Sequence, residues 1–392
     1  MEGNLITTDK KLLPLSWIYG LGVGLRNLMF EMGLLKSRSY KVPIISVGNI
    51  TVGGTGKTPH VEYLIRLFQG KARTAVLSRG YKRKSRGFVL ADANTTVEQI
   101  GDEPYQMKQK FPEVEVAVDK KRTRGIETLT GSQPTADIDV ILLDDAFQHR
   151  YVKPGINILL VDYHRLIIYD RLLPAGRLRE HKSGKNRADI VIVTKCPTDL
   201  KPMDYRVITK AMNLFPYQQL YFTTMTYLKP KAVFDEAVAT PADLQSLRHY
   251  NTLLLTGIAS PAQMMLDLKE HIENITPLTF ADHHAFRKRD VRRINEAFNA
   301  LEEPRCIVTT EKDAVRLRQT EGLSDNVKKS LYALPIEVSF MQDQQELFNE
   351  NILGYVRKNS RNSILAKRKD EVKPQDGNRP GDRPRTISFR NY

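Results

Sequence analysis

The chain has 392 residues, of which 41% are hydrophobic and 27% are charged, so it is long enough for two or more folded domains and has the composition of an ordinary globular protein. Its two cysteines, Cys196 and Cys306, are too few for a disulfide framework and are expected to be buried thiols in a reducing compartment. The formal net charge of +15 indicates an anionic partner, which could be a nucleic acid, a phosphorylated substrate or an acidic membrane surface.

The first element in chain order is an apolar segment over residues 12–35, with Pro14 where a first helical turn would begin. Arg26, Glu31 and several glycines make it a poor bilayer-spanning helix. Two interpretations stay open: a helix that lies in a membrane interface, or a helix packed on the protein core. No cleavable signal peptide is expected, because residues 1–11 are polar. Apolar side chains recur at helical spacing at Trp17, Leu21, Leu28, Met32 and Leu35.

A β-branched run over residues 41–50 then leads into a glycine-rich loop and a helix closed by Gly70. The loop nearly matches the phosphate-binding pattern G-x-x-x-x-G-K-[ST], except that Thr51 stands where the first glycine should be. Lys57 would reach the β- and γ-phosphates of a nucleotide, and the Thr58 hydroxyl would bind Mg²⁺. The predicted nucleotide-binding residues are Thr51, Val52, Gly53, Gly54, Thr55, Gly56, Lys57 and Thr58.

Further apolar runs follow at residues 72–80, 114–119, 138–145, 156–162 and 189–195, separated mostly by helix-length segments. Continuous apolar strands of this kind are typical of a parallel sheet covered on both faces. The predicted fold is therefore α/β, with a core like that of the P-loop NTPases. Ligands of such sheets gather at the carboxyl ends of the strands, so the polar residues that end these runs are expected to converge.

Two adjacent acids, Asp144 and Asp145, end one of these runs and resemble a Walker-B strand that holds Mg²⁺. Asp162 ends another run and is a competitor for this position, but it is better explained as a strand-end cap or a surface acid. Asp102 and Glu103 begin a predicted helix, where the pattern alone favours a capping function.

The segment "FADHHAF" places Asp282, His283 and His284 in a loop before a basic helix. The histidines could be structural, could bind a metal, or could work with a carboxylate to take a proton from a hydroxyl group. No further Cys/His cluster supports zinc. Basic loops at residues 78–88 and 119–125 could bind phosphate, although most of their lysines are expected to be solvated.

The guanine-binding pattern N/T-K-x-D is broken, because Pro197 occupies the position of its aspartate after Thr194-Lys195-Cys196. This disfavours a GTPase and leaves ATP as the expected nucleotide.

The predicted domain organisation has five parts. They are an N-terminal helix at 1–36, a kinase-like core at 37–217, an extended linker at 218–234, a second α/β lobe completing the core at 235–356, and a basic disordered tail at 357–392.

An ordered set of short motifs runs from about residue 43 to residue 315: "SVGNITVGGTGKTP", "LSRGYKR", "GDEPYQM", "DDAFQHR", "LLPAGRLRE", "VIVTK", "TGIASP", "DHHAF" and "TTEKDAV". Together they resemble the tetraacyldisaccharide 4'-kinase family of lipid A biosynthesis. In that family the phosphate loop also lacks a glycine at its first position, and an N-terminal apolar helix associates with the membrane.

The resemblance implies a kinase that uses ATP and Mg²⁺ to phosphorylate the 4'-hydroxyl of a tetraacylated disaccharide 1-phosphate, forming lipid IVA at the cytoplasmic face of the bacterial inner membrane. It implies that Asp102 is the catalytic acid-base residue, that His283 pairs with it, and that Asp144 and Asp145 serve the metal and phosphates. It lends Arg122 as a phosphate contact. It also marks Glu103, Gln148, His149 and Arg177 as motif positions with less defined roles.

Two other functions compete with this one. A nucleic-acid-dependent ATPase fits the net charge, but it would need a basic stripe with interleaved aromatic residues, which the sequence lacks outside the tail. A nucleotide-gated membrane-binding module without catalysis is disfavoured by the Asp102/His283 pair. The expected partners are therefore a lipid disaccharide and a membrane surface, and no nucleic acid.

Overall fold

The computed structural model describes residues 9–131, 135, 137–236, 240–258, 261–282 and 284–360. The strands in chain order are β1 (Ile44–Gly48), β2 (Thr74–Ser78), β3 (Val89–Leu90), β4 (Glu115–Val118), β5 (Val140–Asp144), β6 (Ile156–Asp162), β7 (Ile190–Thr194), β8 (Gln219–Tyr227), β9 (Lys231–Ala232), β10 (Asn251–Thr256), β11 (Asn274–Thr279), β12 (Arg305–Thr310), β13 (Leu331–Leu334) and β14 (Ile336–Phe340). The helices are α1 (Leu13–Glu31), α2 (Lys57–Phe68), α3 (Val97–Ile100), α4 (Asp102–Lys110), α5 (Arg122–Gly131), α6 (Pro202–Met212), α7 (Pro261–Lys269), α8 (Lys288–Asn299), α9 (Glu311–Arg318), α10 (Asp325–Lys329) and α11 (Gln345–Asn359).

The larger sheet has nine strands in the order β14-β8-β7-β6-β1-β5-β2-β4-β3. All neighbouring strands are parallel except the two edge pairs, β14 with β8 and β3 with β4. Every residue of β1, β2, β5 and β7 is buried, which explains why these strands read as continuous apolar runs. The predicted α/β fold with a parallel sheet is confirmed.

A smaller sheet has five strands in the order β11-β10-β12-β13-β9. Its core contains Leu253 and Ile307 from the strands and Ile294 and Phe298 from α8. We call the part of the chain built on this sheet the second lobe, and the part built on the nine-stranded sheet the large lobe.

The chain crosses between the lobes twice. It leaves the large lobe at the end of β8 and returns in β14, which pairs antiparallel with β8. Three apolar residues of α11, Phe348, Ile352 and Val356, then pack into the core of the large lobe. Residues 336–359 therefore lie on the large lobe and not with the second lobe, to which 235–356 were predicted to belong. The pairing of β14 with β8 joins positions far apart in the chain, so no local pattern indicates it.

A partly buried ion-pair group joins the two lobes. Lys110, at the end of α4, has its Nζ 2.7 Å from Glu62 Oε2 in α2 and 2.8 Å from Glu311 Oε2 at the start of α9. Burial alone would lower the pKa of Lys110, but the carboxylates of Glu62 and Glu311 raise it above its ordinary value. Lys110 is therefore held charged at the contact between the lobes.

Both cysteines are buried, with exposed fractions of 2% for Cys196 and 1% for Cys306. Burial raises the pKa of the Cys196 thiol to about 12 and that of Cys306 to about 11. Since the thiolate is the reactive species, we expect neither thiol of the native protein to react with Ellman's reagent at pH 8 within an hour. Both should react at once in guanidinium chloride, and rapid reaction of either one without denaturant would contradict its burial.

Helix α1 packs on the large lobe through its polar side. Ser16 Oγ donates to the Leu172 carbonyl at 3.0 Å, Tyr19 Oη donates to the Arg179 carbonyl at 2.7 Å, and Arg26 donates to the carbonyl of Gln148 at 3.3 Å. Leu35 lies beyond the end of the helix, contrary to the predicted spacing, because the helix ends at Glu31 and Gly33 follows with a φ of +74°. Within the described part of the chain, no helix is both long and apolar enough to span a bilayer.

Candidate active site

The phosphate loop, residues 51–58, connects the central strand β1 to helix α2. Asn49 Nδ2 donates to Thr55 Oγ1 at 2.8 Å, which ties the end of β1 to the far side of the loop. Gly56 has a φ of +80°, and a Cβ at this position would lie 2.5 Å from the Cε of Met225. Glycine is therefore favoured at position 56 by its left-handed backbone conformation, whereas the Met225 methyl is the end of a flexible side chain and could move away.

Thr51 explains why the first glycine of the usual pattern is dispensable. It is buried and forms an antiparallel bridge with Leu178, and the next amide, that of Val52, donates to the Arg177 carbonyl at 2.8 Å. Thr51 is not among the described residues with positive φ. Because its backbone is paired as in a strand, a β-branched residue is well suited to this position.

Lys57 begins α2 and points toward the end of β5. Its Nζ lies 3.7 Å from Asp145 Oδ1, and Arg179 Nη1 lies 3.3 Å from the same oxygen. Burial alone would raise the pKa of Asp145, but the charges of Lys57 and Arg179 lower it below its ordinary value. Asp145 is therefore ionised and holds two cations beside the phosphate loop.

Asp144 is in a different environment from its neighbour. It is buried, Ser78 Oγ donates to its Oδ2 at 2.9 Å, and its Oδ1 has no hydrogen-bond partner. Burial raises the pKa of Asp144 to about 7, and the charges of Glu103 and Asp145 add to this effect. An unpartnered carboxylate oxygen near two other acids is a site that a cation would stabilise.

Asp102 is the first residue of α4 and is held by the second lobe. Arg316 of α9 donates to Asp102 Oδ2 through Nη2 at 2.6 Å and through Nε at 3.1 Å. Arg316 Nη1 also donates to Asp313 Oδ1 at 2.9 Å, and Asp313 accepts the Gly257 amide at 2.9 Å. The position of Asp102 therefore depends on a guanidinium fixed by a buried carboxylate of the other lobe. No side-chain cap of α4 is present, so the capping function that the pattern favoured is not observed.

Glu103 and Asp282 face each other across Lys312. The Nζ of Lys312 lies 3.6 Å from Glu103 Oε1 and 3.3 Å from Asp282 Oδ1. His283, predicted to pair with Asp102, lies outside the described residues. Its neighbour His284 has its Nε2 2.9 Å from Asp290 Oδ2 at the start of α8, so this second histidine is engaged in the structure of the second lobe.

Gln148 and His149 lie on the turn after β5, next to α1. Gln148 Nε2 donates to the Asn49 carbonyl at 2.6 Å and to Glu180 Oε1 at 3.1 Å, which links this turn to the start of the phosphate loop. Burial lowers the pKa of His149 to about 4, with a smaller contribution from the charge of Arg122, so the imidazole ring is neutral. Gln148 is thus a connecting residue, and His149 offers an uncharged imidazole.

Arg122 is buried to an exposed fraction of 2%, and its hydrogen bonds go to main-chain carbonyls. It donates to Asp119 O at 2.8 Å and to Asp144 O at 3.0 Å. Burial lowers its pKa to about 10. This geometry favours support of the β5 turn over the predicted phosphate contact.

The segment "AGRLRE" supplies two arginines near the phosphate loop, of which only Arg177 was predicted. Residues 177–179 pair antiparallel with residues 50–52 at the start of the loop. Leu178 is buried in the core, and Arg177 and Arg179 lie on either side of it in the chain. Arg177 Nη1 lies 3.9 Å from the place where a Cβ on Gly53 would sit. Arg179, which pairs with Asp145, was not predicted from the sequence. Residues two apart in an extended segment lie on the same face, so Arg177 could have pointed to Arg179.

Many of these groups line a cleft of about 1490 Å³ between the lobes. The predicted site residues Thr51, Asp102, Arg122, His149 and Arg177 are not among its lining residues. Of the predicted site residues, Val52, Gly53, Gly54, Thr55, Gly56, Lys57, Thr58, Glu103, Asp144, Asp145 and Gln148 line it. Helix α1 contributes Tyr19, Val23, Arg26 and Asn27 to one wall, and the second lobe contributes Gln263, Met264, Asp282 and Glu311 to another. The cleft therefore runs from the phosphate loop to the exposed helix α1.

Comparison with known proteins identifies the family. The family model described as "Tetraacyldisaccharide-1-P 4'-kinase" matches residues 8–357. The chain belongs to this family. It is 60% identical over 365 residues to the tetraacyldisaccharide 4'-kinase of Phocaeicola vulgatus, covering 93% of this chain and 99% of that protein. It is 43% identical over 356 residues to that of Porphyromonas gingivalis, covering 89% and 98%.

A solved structure supports the same conclusion. The crystal structure of LpxK from Aquifex aeolicus in complex with ATP superposes with a TM-score of 0.66 at 29% identity, covering 88% of this chain and 98% of that one. The family is one of kinases, so the chain is a phosphotransferase of lipid A biosynthesis. The nucleic-acid-dependent ATPase considered from the net charge is thereby set aside.

Proposed function

We propose that the protein transfers the γ-phosphoryl group of ATP to the 4'-hydroxyl of a tetraacyldisaccharide 1-phosphate, using the cleft described above. One observation carries this proposal: residues 52–58 of the phosphate loop, the acidic strand end and Glu103, the neighbour of Asp102 at the start of α4, line a single cleft that reaches α1. The relatives named above are kinases of this acceptor, and the Aquifex aeolicus structure holds ATP.

The loop and Lys57 bind the phosphates in this scheme. Backbone amides of the phosphate loop and the N-terminus of α2 attract phosphate oxygens. Lys57 is fixed by Asp145 so that its charge lies at the mouth of the loop, where charge develops as the γ-phosphoryl group is transferred. Arg179, which contacts the same Asp145 oxygen as Lys57, and Arg177, whose guanidinium lies near Gly53, add positive charge beside the loop.

Magnesium fits the residues that are present. Among the described residues no cluster of three His, Cys, Asp or Glu side chains could hold a metal, so the protein donors would be the Thr58 hydroxyl and one aspartate. The unpartnered Oδ1 of Asp144 makes it the better ligand, since Asp145 already binds Lys57 and Arg179. When bound, Mg²⁺ would neutralise charge on the transferred phosphate.

Asp102 accepts the proton of the 4'-hydroxyl in our proposal. A base must lie within hydrogen-bond reach of the proton that it takes. Arg316 fixes Oδ2 of Asp102, and Arg316 itself is fixed by Asp313, so the orientation of the acid depends on contact between the lobes. His283 is proposed to assist Asp102.

The outward face of α1 is proposed to sit in the cytoplasmic face of the inner membrane, where a lipid acceptor would be held. Trp17 and Leu21 are each 76% exposed, and Ile18 is 69% exposed. This face is apolar and faces solvent, whereas the polar face packs on the large lobe, which is the reverse of an ordinary surface helix. Burial of such an apolar face in a membrane interface is energetically favourable.

The kinase activity is tested with γ-labelled ATP, Mg²⁺ and tetraacyldisaccharide 1-phosphate dispersed in detergent. Label is expected in the lipid product, at the 4'-position as located by mass spectrometry. An acceptor that lacks the 4'-hydroxyl is the matched control. ATP consumption without label in the lipid would contradict the proposal.

Membrane binding by α1 is tested by changing its outward face. The double substitution Trp17→Glu and Leu21→Glu removes two exposed apolar side chains that each contribute about 1.5–3 kcal/mol when buried. We expect at least about tenfold weaker co-sedimentation with phosphatidylethanolamine–phosphatidylglycerol vesicles, since 1.4 kcal/mol corresponds to a factor of ten. Met203→Glu with Leu347→Glu, which alters exposed apolar residues of α6 and α11, should leave vesicle binding unchanged. Equal binding by both double variants would exclude α1 as the anchor.

A further inference from the structure

Three successive carbonyl groups of the phosphate loop each accept a hydrogen bond from a side chain outside the loop. Lys195 Nζ donates to Gly54 O, Thr194 Oγ1 donates to Thr55 O at 3.0 Å, and His60 Nδ1 donates to Gly56 O at 2.7 Å. In a planar trans peptide the N–H points opposite to the C=O. Fixing these three carbonyls therefore fixes the directions of the three amides that follow them.

The three donors come from different parts of the large lobe. Thr194 ends β7, and Lys195 follows it with a φ of +58° while its Nζ also lies 2.8 Å from Asp162 Oδ2. His60 lies one turn into α2. The loop is thus held by its own helix and by a strand two positions away in the sheet.

His60 also connects the loop to the strand that leads to the second lobe. It is buried, and its Nε2 lies 3.2 Å from Thr223 Oγ1 in β8. Because the Gly56 carbonyl can only accept, Nδ1 must carry the proton and Nε2 must accept from Thr223. Burial lowers the pKa of His60 to about 4, in keeping with this neutral form.

We propose that His60, Thr194 and Lys195 are positioning residues that hold the phosphate loop in its amide-inward conformation, and that the bond from His60 to Gly56 is a determinant of ATP affinity. The inference rests on the proposed use of this loop for ATP. Gly53, Gly54 and Gly56 give the loop conformational freedom that ATP would otherwise have to restrict on binding. Prior restriction by these donors lowers that cost.

Three substitutions at position 60 distinguish the contributions of the hydrogen bonds made by the two ring nitrogens. Asn places an amide nitrogen near the position of Nδ1, so His60→Asn can still donate to Gly56 O. Gln places its amide near the position of Nε2, so His60→Gln keeps only the contact with Thr223. His60→Ala loses both side-chain contacts and leaves the Gly56 carbonyl with the longer 3.3 Å bond from the main-chain amide of residue 60.

The experiment measures the equilibrium Kd of ATP by calorimetry, KM for ATP, KM for the lipid acceptor and the melting temperature, all on the full chain. His60→Ala and His60→Gln are expected to raise Kd and KM for ATP about tenfold, roughly the worth of one net hydrogen bond, with KM for the lipid unchanged. His60→Asn should restore most of the ATP affinity. Thr194→Val, which removes one donor with little change of shape, should weaken ATP binding in the same way. It provides the test if His60→Ala fails to fold.

The outcomes separate two kinds of failure. Unchanged ATP affinity in His60→Ala and Thr194→Val, or equal losses in His60→Asn and His60→Gln that follow the melting temperature, would overturn the positioning role. Wild-type protein that does not bind ATP would instead contradict the proposed function itself.

Discussion

Replacing Lys57 with methionine is expected to lower kcat for phosphoryl transfer by on the order of 10²–10³-fold, the effect of removing one preorganised electrostatic group from a transition state. Methionine keeps the apolar stem of lysine and removes only its charge. Asp145 would remain paired with Arg179, whose Nη1 lies 3.3 Å from its Oδ1, so no unpaired acid is created. The melting temperature should therefore stay close to that of the wild type.

The matched control is Lys41→Met, which removes an exposed lysine just before β1. It should keep full activity. The measurement is label transfer from ATP to the lipid at saturating concentrations of both substrates. A folded Lys57→Met protein with normal turnover would remove Lys57 from the chemical step.

Asp102→Asn is expected to lower kcat by about 10²-fold or more, the usual contribution of a general base. The amide has the shape of the carboxylate but cannot take a proton at neutral pH. Its oxygen can still accept from Arg316, and Arg316 keeps its 2.9 Å bond to Asp313, so the contact between the lobes should persist. The loss should therefore appear in kcat, with the Kd for ATP unchanged.

Two controls accompany this variant. Asp137→Asn removes the charge of an exposed aspartate that pairs with Arg73 away from the cleft, and it should be fully active. Arg316→Met removes the guanidinium and leaves the acid in place, so an intermediate loss is expected if Arg316 orients Asp102. Normal turnover by a folded Asp102→Asn protein would show that another group accepts the proton.

The local parts of the fold could be predicted from the sequence because each carries its own signal. The run into Gly48, the glycines of the loop and the apolar spacing of α2 lie within 30 residues, and they predicted strand, loop and helix as observed. The return of β14 to the large sheet could not be predicted in this way. Its pairing of Ile336 with Tyr227 joins positions more than 100 residues apart, and nothing in the sequence of β14 indicates which strand it pairs with.

The same division holds for the site. Lys57 and Asp145 were predicted because each belongs to a short motif. The bond between Arg316 and Asp102 spans 214 positions and has no local pattern, so Arg316 was missed. The stripe of Trp17 and Leu21 predicted an apolar helix face, but periodicity alone cannot tell whether that face meets a core or solvent. Only packing of the opposite, polar face on the large lobe decides this.

The double crossing between the lobes makes the second lobe an insertion. Tyr227 and Ile336 are paired neighbours, and the Leu228 amide donates to the Pro335 carbonyl at 2.9 Å, so the two ends of the inserted segment meet at one point. A short turn joining β8 directly to β14 would convert them into a β-hairpin and turn a slow, long-range pairing into a fast, local one. Such a shortened chain would retain the phosphate loop and the sheet edge but would lack the guanidinium that holds Asp102, so nucleotide binding and catalysis could be studied as separable properties of one polypeptide.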